Sequence, residues 1–260
     1  MERLVLVHGS VAGAAATWAP QRPLAERYEL VVVERPGFAP GPPVERVDFE
    51  ADARLIHELL REGDHLVGHS YGGVIALLAA AGRPDAIRSL TVLEPPATRV
   101  ALGQPDADRF AESGRTWWET GPTGDPEAFL RGFLEAVGSA WDPPTPLPPD
   151  LEQGAQMLVV ERGPWEAEIP LDALRAAGIP TLVVSGAHHA GFEAICDALE
   201  RELGAERAVL PGVGHTIPRH PDFNRVLADF VDRAAARVGR GVEAETEPEA
   251  GAEAGAGAKA

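Results

Sequence analysis

The chain predicts an α/β protein built on a six-stranded, largely or wholly parallel sheet, and three observations point there. Short apolar runs without polar alternation, such as Leu4–Val7 and Leu90–Leu93, read as strands covered on both faces. Helical stretches alternate with them at a spacing that implies right-handed crossovers. The alternation stops at Ala97, gives way to helical patterns and prolines, and resumes only after Leu171. An insertion therefore interrupts one α/β unit, dividing the chain into a core of residues 1–96 and 172–238, a helical insertion of 97–171 and a tail of 239–260.

Taken in order, Arg3–Val7 is the first strand, ending in His8-Gly9 and a loop of small residues. Thr17 and Trp18 open a short helix to about Arg27, with Pro20 tolerated in its first turn. Glu29–Glu34 is the second strand. Asp48 supplies a side-chain acceptor ahead of a helix over Phe49–Arg61. Asp64–His69 is the third strand, and an Ala/Leu-rich helix follows it to Gly82. Ile87–Glu94 is the fourth, stopped by Pro95-Pro96. Within the insertion the pattern predicts helices near Asp106–Glu119, Pro126–Val137 and Asp150–Glu161, with a short one near Trp165. Ile179–Gly186 and Glu206–Leu210 complete the strands, around a helix over Phe192–Leu203. Pro221–Val238 is a closing amphipathic helix. Beyond Gly239 only Gly, Ala, Glu and a few polar residues remain apart from one valine and one proline, a composition that predicts a disordered acidic tail.

The third strand runs into Gly68-His69-Ser70-Tyr71-Gly72, a serine at the apex of a strand-turn-helix. A turn this tight has no room for a Cβ on the flanking glycines, and it lifts the serine hydroxyl clear of the backbone at a helix N-terminus. This stretch resembles the nucleophile elbow of the α/β-hydrolase superfamily. The resemblance implies the α/β-hydrolase fold, with residues 97–171 as a helical cap over the catalytic edge. It also implies a serine nucleophile at Ser70. Because the sequence opens directly on the His-Gly strand, the antiparallel strands that usually precede it in this family are not expected.

A serine hydroxyl needs a base, and the base needs an acid to hold its tautomer. In the family's chain order the histidine comes last, and His215, in a Gly-x-Gly-His turn after the sixth strand, occupies that place. Among the other histidines, His8 belongs to the His-Gly turn and His69 points away from the serine. His57 and His65 are expected in or beside a surface helix, and His220 as a capping or surface residue. The acid departs from the usual pattern: where the family carries an aspartate after the fifth strand, this chain has Gly186-Ala187-His188-His189. Glu193 and Asp197 follow only after a helix should have begun. Glu94, at the end of the strand next to the elbow, is therefore assigned as the acid, against the simpler reading of a strand-end residue paired with an arginine. Resemblance also assigns the oxyanion donors to the backbone N–H groups of Tyr71 and Ser10, with Val11 as the neighbouring alternative. Trp117, Trp118, Trp141 and Trp165 lie in the insertion; at least one is expected to face an apolar substrate cavity, with Trp117, Trp118 and Trp141 as the substrate-binding candidates, while others glue the insertion to the core.

Composition bounds the function. A net charge of −17 argues against nucleic acid or an anionic membrane as partner, beyond its ordinary role in solubility. The single cysteine, Cys196, excludes an internal disulfide and a multi-cysteine metal site, and with no leader-like segment the expected location is the cytoplasm. No dinucleotide fingerprint or metal cluster is present, so no cofactor and no metal are expected. A serine nucleophile excludes the family's dehalogenases and epoxide hydrolases, which attack with an aspartate. What remains is a serine hydrolase of a small to medium carboxylic ester, lactone or thioester, as monomer or homodimer. C–C bond hydrolysis, hydroxynitrile cleavage and perhydrolysis on the same triad, and a non-catalytic ligand-binding protein of this fold, stay open at this point.

Overall fold

A computed structural model describes residues 1–139 and 141–245. Six parallel strands form one sheet in the order β2-β1-β3-β4-β5-β6: β1 (Arg3–Val7), β2 (Glu29–Val33), β3 (Asp64–His69), β4 (Ile87–Leu93), β5 (Thr181–Ser185) and β6 (Glu206–Val209). Side chains alternate across the sheet. Val5, Val7, Leu66, Leu90, Val92 and Val183 enter one core layer, and Leu4, Leu6, Val67, Leu93, Leu182 and Val184 the other. The first layer is closed by α2 (Phe49–Leu59), α3 (Tyr71–Gly82) and α8 (Ala190–Leu203); the second by Trp18, Tyr28 and α9 (Phe223–Glu245). Each fully buried aliphatic side chain contributes roughly 1.5–3 kcal/mol, so this double-sided burial fixes which strand residues can face which layer.

Asp48 accepts hydrogen bonds from the N–H groups of Glu50 and Ala51, capping α2 as its position predicts. The expected helix over 17–27 is instead a single turn, α1 (Ala14–Thr17), followed by a 3₁₀ stretch over Ala19–Glu26. Pro20 and Pro23 both lack an N–H, and Pro23 falls inside the segment, so an α-helical ladder cannot be maintained there. His65 is also not on a helix surface. It sits on β3, fully buried, its Nδ1 2.7 Å from the Ser89 hydroxyl. Of the tail expected over 239–260, residues 239–245 continue α9 and residues 246–260 lie outside the described residues. Arg240, Glu243, Ala244 and Glu245 favour a helix whereas Gly239 and Gly241 do not, so the extension rests on the turns before it, where nucleation is already complete.

Between β4 and β5 the described residues form helices: α4 (Pro105–Thr120), α5 (Pro126–Ala136), α6 (Pro149–Val159) and, after a 3₁₀ turn at Pro164–Glu166, α7 (Leu171–Ala177). Sequence patterning missed α7. A third apolar cluster, with Phe129, Leu130, Leu134, Ala155 and Leu158, joins α5 and α6 to Val11 in the loop after β1. Tight packing enforces the contact: a Cβ on Gly154 of α6 would run into the Val11 carbonyl. The segment returns to the core at a bridge between Val47 and Glu161, where Val47 donates to the Val160 carbonyl and Arg162 donates to that of Val47.

Candidate active site

Parallel strands bring their C-terminal ends to one edge, and that is where the chemistry-bearing residues collect. Gly68 of β3 is in register with Val7 of β1 and Val92 of β4, so the turns that follow these strands are neighbours. Ser70 leaves β3 with its N–H bonded to the Leu93 carbonyl at 2.9 Å, and Glu94 leaves β4 bonded to the Val184 carbonyl at 3.0 Å. Both residues adopt positive φ, +56° for Ser70 and +43° for Glu94, a conformation that costs a side-chain-bearing residue on the order of 1–3 kcal/mol. The surroundings hold Ser70 there. A Cβ on Gly68 would strike Gly72 and Ala76, and one on Gly72 would strike the carbonyls of Val7 and His8. On the other side, a Cβ on Gly9 would lie 2.8 Å from the Ser70 Cβ. The turn after β1 therefore passes directly against the serine, and Ser10 and Tyr71 line the same cavity as Ser70.

His215, in the loop after β6, closes the constellation. Its Nε2 lies 2.9 Å from Ser70 Oγ, and its Nδ1 lies 2.7 Å from Glu94 Oε2. Phe192 stacks on the imidazole at a centroid distance of 4.5 Å and 17° between planes, and His69 donates from Nε2 to the His215 carbonyl at 2.8 Å. Burial, with the neighbouring His215, lowers His69 to about 3, so it serves as a neutral prop. Glu94 is fully buried. Burial alone would raise its carboxyl, but the adjacent His188 ring, the hydrogen bond with His215 and that from the Gly186 N–H, 2.7 Å from Oε1, outweigh it and hold the group down at about 2. Glu193 is engaged elsewhere, with the Ser185 hydroxyl, the Ala187 N–H and Arg207, and Asp197 lies 3.6 Å from Arg207. The structure thus brings Ser70, His215 and Glu94 into one hydrogen-bonded chain.

Two groups escaped the sequence reading. His188 sits 3.2 Å from Glu94 Oε1 through its Nδ1, and His189 caps α8 by accepting the Gly191 N–H, a job the missing aspartate could have done. Glu161 is the second: it lies at the end of the helical segment, buried, and accepts the Ser10 hydroxyl at 2.6 Å beside the serine. Burial pushes its carboxyl up to about 7 against the opposing pull of Arg35 and Ser10. Nothing in the pattern of residues near 161 distinguished it from an ordinary helix end.

The cavity above Ser70 is apolar and aromatic. Trp117, Trp118 and Trp165 line it with Phe110, Phe133 and Phe192. Trp141 does not; it stands 37% exposed away from the lining, and Trp165 takes the place expected of it. Trp118 is anchored by its indole N–H to the Glu161 carbonyl at 2.9 Å, and Gly132 makes room for the ring of Trp117. Among the described residues, the grouping of histidines and carboxylates near enough to approach a common cation is Glu94, His188 and His215, whose facing atoms are engaged with one another. No helix among them is long and apolar enough to cross a membrane.

Comparison with known proteins bears on the fold and the family. Lipase LipV of Mycobacterium tuberculosis is 27% identical over 237 residues, covering 83% of this chain and 85% of that one. Polyketide synthase ThaQ of Burkholderia thailandensis is 29% identical over 235 residues, but those span 83% of this chain and only 11% of the synthase. Esterases and a dehalogenase are also among the relatives. The solved structure of MenH from S. aureus superimposes over 90% of this chain and 94% of its own with a TM-score of 0.67 at 16% identity, a likeness of fold. The profile of the alpha/beta hydrolase family matches residues 4–242, and the chain belongs to that family.

Proposed function

We propose that the protein is a cofactor-independent serine hydrolase that cleaves a carboxylic ester, lactone or thioester of a small to medium molecule through an acyl-enzyme. The observation that carries this reading is the continuous chain from Ser70 Oγ through His215 to Glu94, with both links at 2.9 Å or less. His215 Nε2 takes the serine proton as Oγ attacks the carbonyl carbon, and Glu94 stabilises the resulting imidazolium through Nδ1–H. The backbone N–H groups of Tyr71 and Ser10, residues that line the cavity beside Ser70, are the donors this reading assigns to the oxyanion. Collapse expels the leaving oxygen or sulfur, which receives the proton from His215. A water molecule activated by the same base then releases the acid and restores Ser70.

The helical segment acts as the cap in this reading, its rings holding an apolar acyl or leaving group above the serine. The test is labelling by a fluorophosphonate together with turnover of a chromogenic ester series, a few lactones and an acyl thioester. Ser70→Ala should abolish labelling and lower kcat by on the order of 10⁴ to 10⁶ while the fold is retained. An unlabelled wild-type serine with no turnover across that panel would leave the fold without this chemistry and favour a ligand-binding role.

A further inference from the structure

The Glu94 carboxylate serves two imidazoles, and the second is not explained by hydrolysis. Oε2 faces His215; Oε1 faces both the Gly186 N–H and His188 Nδ1. The other ring nitrogen of His188, Nε2, lies 3.1 Å from the carbonyl of Val137, the residue that ends α5 and lines the cavity. A carbonyl only accepts, so Nε2 carries a hydrogen. An ionised carboxylate also only accepts, and its negative charge 3.2 Å from Nδ1 favours a proton there through space. The Nδ1 contact is an ion pair, not a well-aligned hydrogen bond.

Resting on the serine-hydrolase reading, we propose that His188 is an imidazolium positioning residue that clamps Glu94 between the cavity wall and His215 and partly neutralises it. The other groups near the ring fit that charge. His215 and His189 lie with ring centroids 5.9 and 6.2 Å away, and His189 is held toward its neutral form by burial and by His188 itself. Glu193 of α8 adds favourable charge, and Phe192 packs against the ring without charge. Burial alone would drive His188 neutral, but the Glu94 carboxylate and the Val137 carbonyl outweigh it and hold the ring above its ordinary 6.5. An acid already compensated by one cation favours a second less. The two imidazoles therefore compete for one carboxylate, and removing the His188 charge should tighten the hold of Glu94 on the His215 imidazolium.

The experiment has two arms. With ring-¹⁵N-labelled histidine, assigned through the His188→Gln variant, both His188 nitrogens should be protonated at pH 7; an unprotonated Nδ1 overturns the proposal, whatever the enzyme hydrolyses. In the second arm, the acid limb of the kcat/KM–pH profile reports His215 in the free enzyme. In both His188→Gln and His188→Ala it should move upward by about one pH unit. Glutamine can fill the place beside Glu94 and offer it an N–H but brings no charge, so a merely structural role would leave its limb where the wild type has it. An unmoved limb in a folded His188→Gln variant would overturn the proposal. Complete lack of hydrolysis beside a doubly protonated His188 would instead sink the hydrolase reading on which the proposal rests.

Discussion

The floor and the roof of the cavity are made differently. Ser70, Glu94 and the turn carrying Ser10 sit at the ends of adjacent parallel strands, where backbone register leaves each almost no freedom. The roof comes from α4, α5 and the stretch around Glu161, positioned by ring packing such as Trp118 against Trp165 at 5.4 Å. A floor set by hydrogen-bonded register tolerates no change in chemistry. A roof set by packing should trade one shape for another. The largest expected effect is accordingly in the floor. Glu94→Gln keeps the size of the side chain but removes the charge that supports the imidazolium, and kcat should fall by on the order of 10⁴. Glu193→Gln, Asp197→Asn and His189→Ala should keep most activity on the same ester assay. A Glu94→Gln enzyme with near-normal kcat would mean the acid lies elsewhere and dissolve the contrast between floor and roof.

That contrast also explains what the sequence could reveal. The elbow was legible because its glycines mark a backbone geometry that no other residue satisfies. Glu94 was legible by position, since a carboxylate at the end of the strand beside the elbow must arrive near the base once strand order is known. The roof was only half legible. Tryptophans announced an apolar cavity, yet which of them face it depends on helix docking, and Trp141 and Trp165 exchanged the roles expected of them. His188 and Glu161 were invisible as functional groups because their partners lie 94 positions earlier and 151 positions earlier in the chain. Burial, which raises the Glu161 carboxyl, and the Glu94 carboxylate beside His188 have no local signature in the sequence.

Acid should separate floor from roof next. Glu94 is held at about 2 against an ordinary 4.5, so its contribution to stability is complete above 4.5 and is lost as pH falls through 2. His69 is held at about 3 against an ordinary 6.5, and its neutral form likewise supports the fold fully above 6.5 and progressively less as pH falls toward 3. Together such shifts imply up to about 8 kcal/mol of linkage. Buried Glu161, pushed up to about 7, works the other way between pH 7 and 4.5. The melting temperature should therefore fall most clearly below pH 4.5, and His69→Gln should remove the destabilising part above it. A midpoint constant between pH 4.5 and 2 would show that Glu94 is not coupled to folding.

The joint between the two regions should respond more modestly. Gly154 of α6 packs on the Val11 carbonyl without space for a methyl group. Gly154→Ala must push α6 away from the turn that carries Ser10, at a cost of about 1–3 kcal/mol for an overpacked contact. The signature is combined: a lower melting temperature together with reduced kcat on all esters, because the turn beside Ser70 shifts for every substrate alike. Loss of stability with kcat untouched would mean the roof can lift without moving the oxyanion turn.

The smallest effects belong to the roof itself, and they distinguish its tryptophans. Trp118 lines the cavity and is tethered to the Glu161 carbonyl, whereas Trp141 is 37% exposed and lies outside the lining. Truncating Trp118 to alanine enlarges the space over Ser70 and removes one aromatic wall while the Ser70–His215–Glu94 chain stays intact. Apolar contacts of this kind discriminate substrates by roughly 1–3 kcal/mol. Trp118→Ala should therefore raise KM for the ester best fitted to the wild-type cavity by about tenfold and shift the preferred acyl chain toward greater bulk. Trp141→Ala, made in parallel, should leave the order of preference across the same ester series unchanged. If the two variants behave alike, the cavity seen under the helices does not hold the substrate, and the acyl group must approach Ser70 along another path.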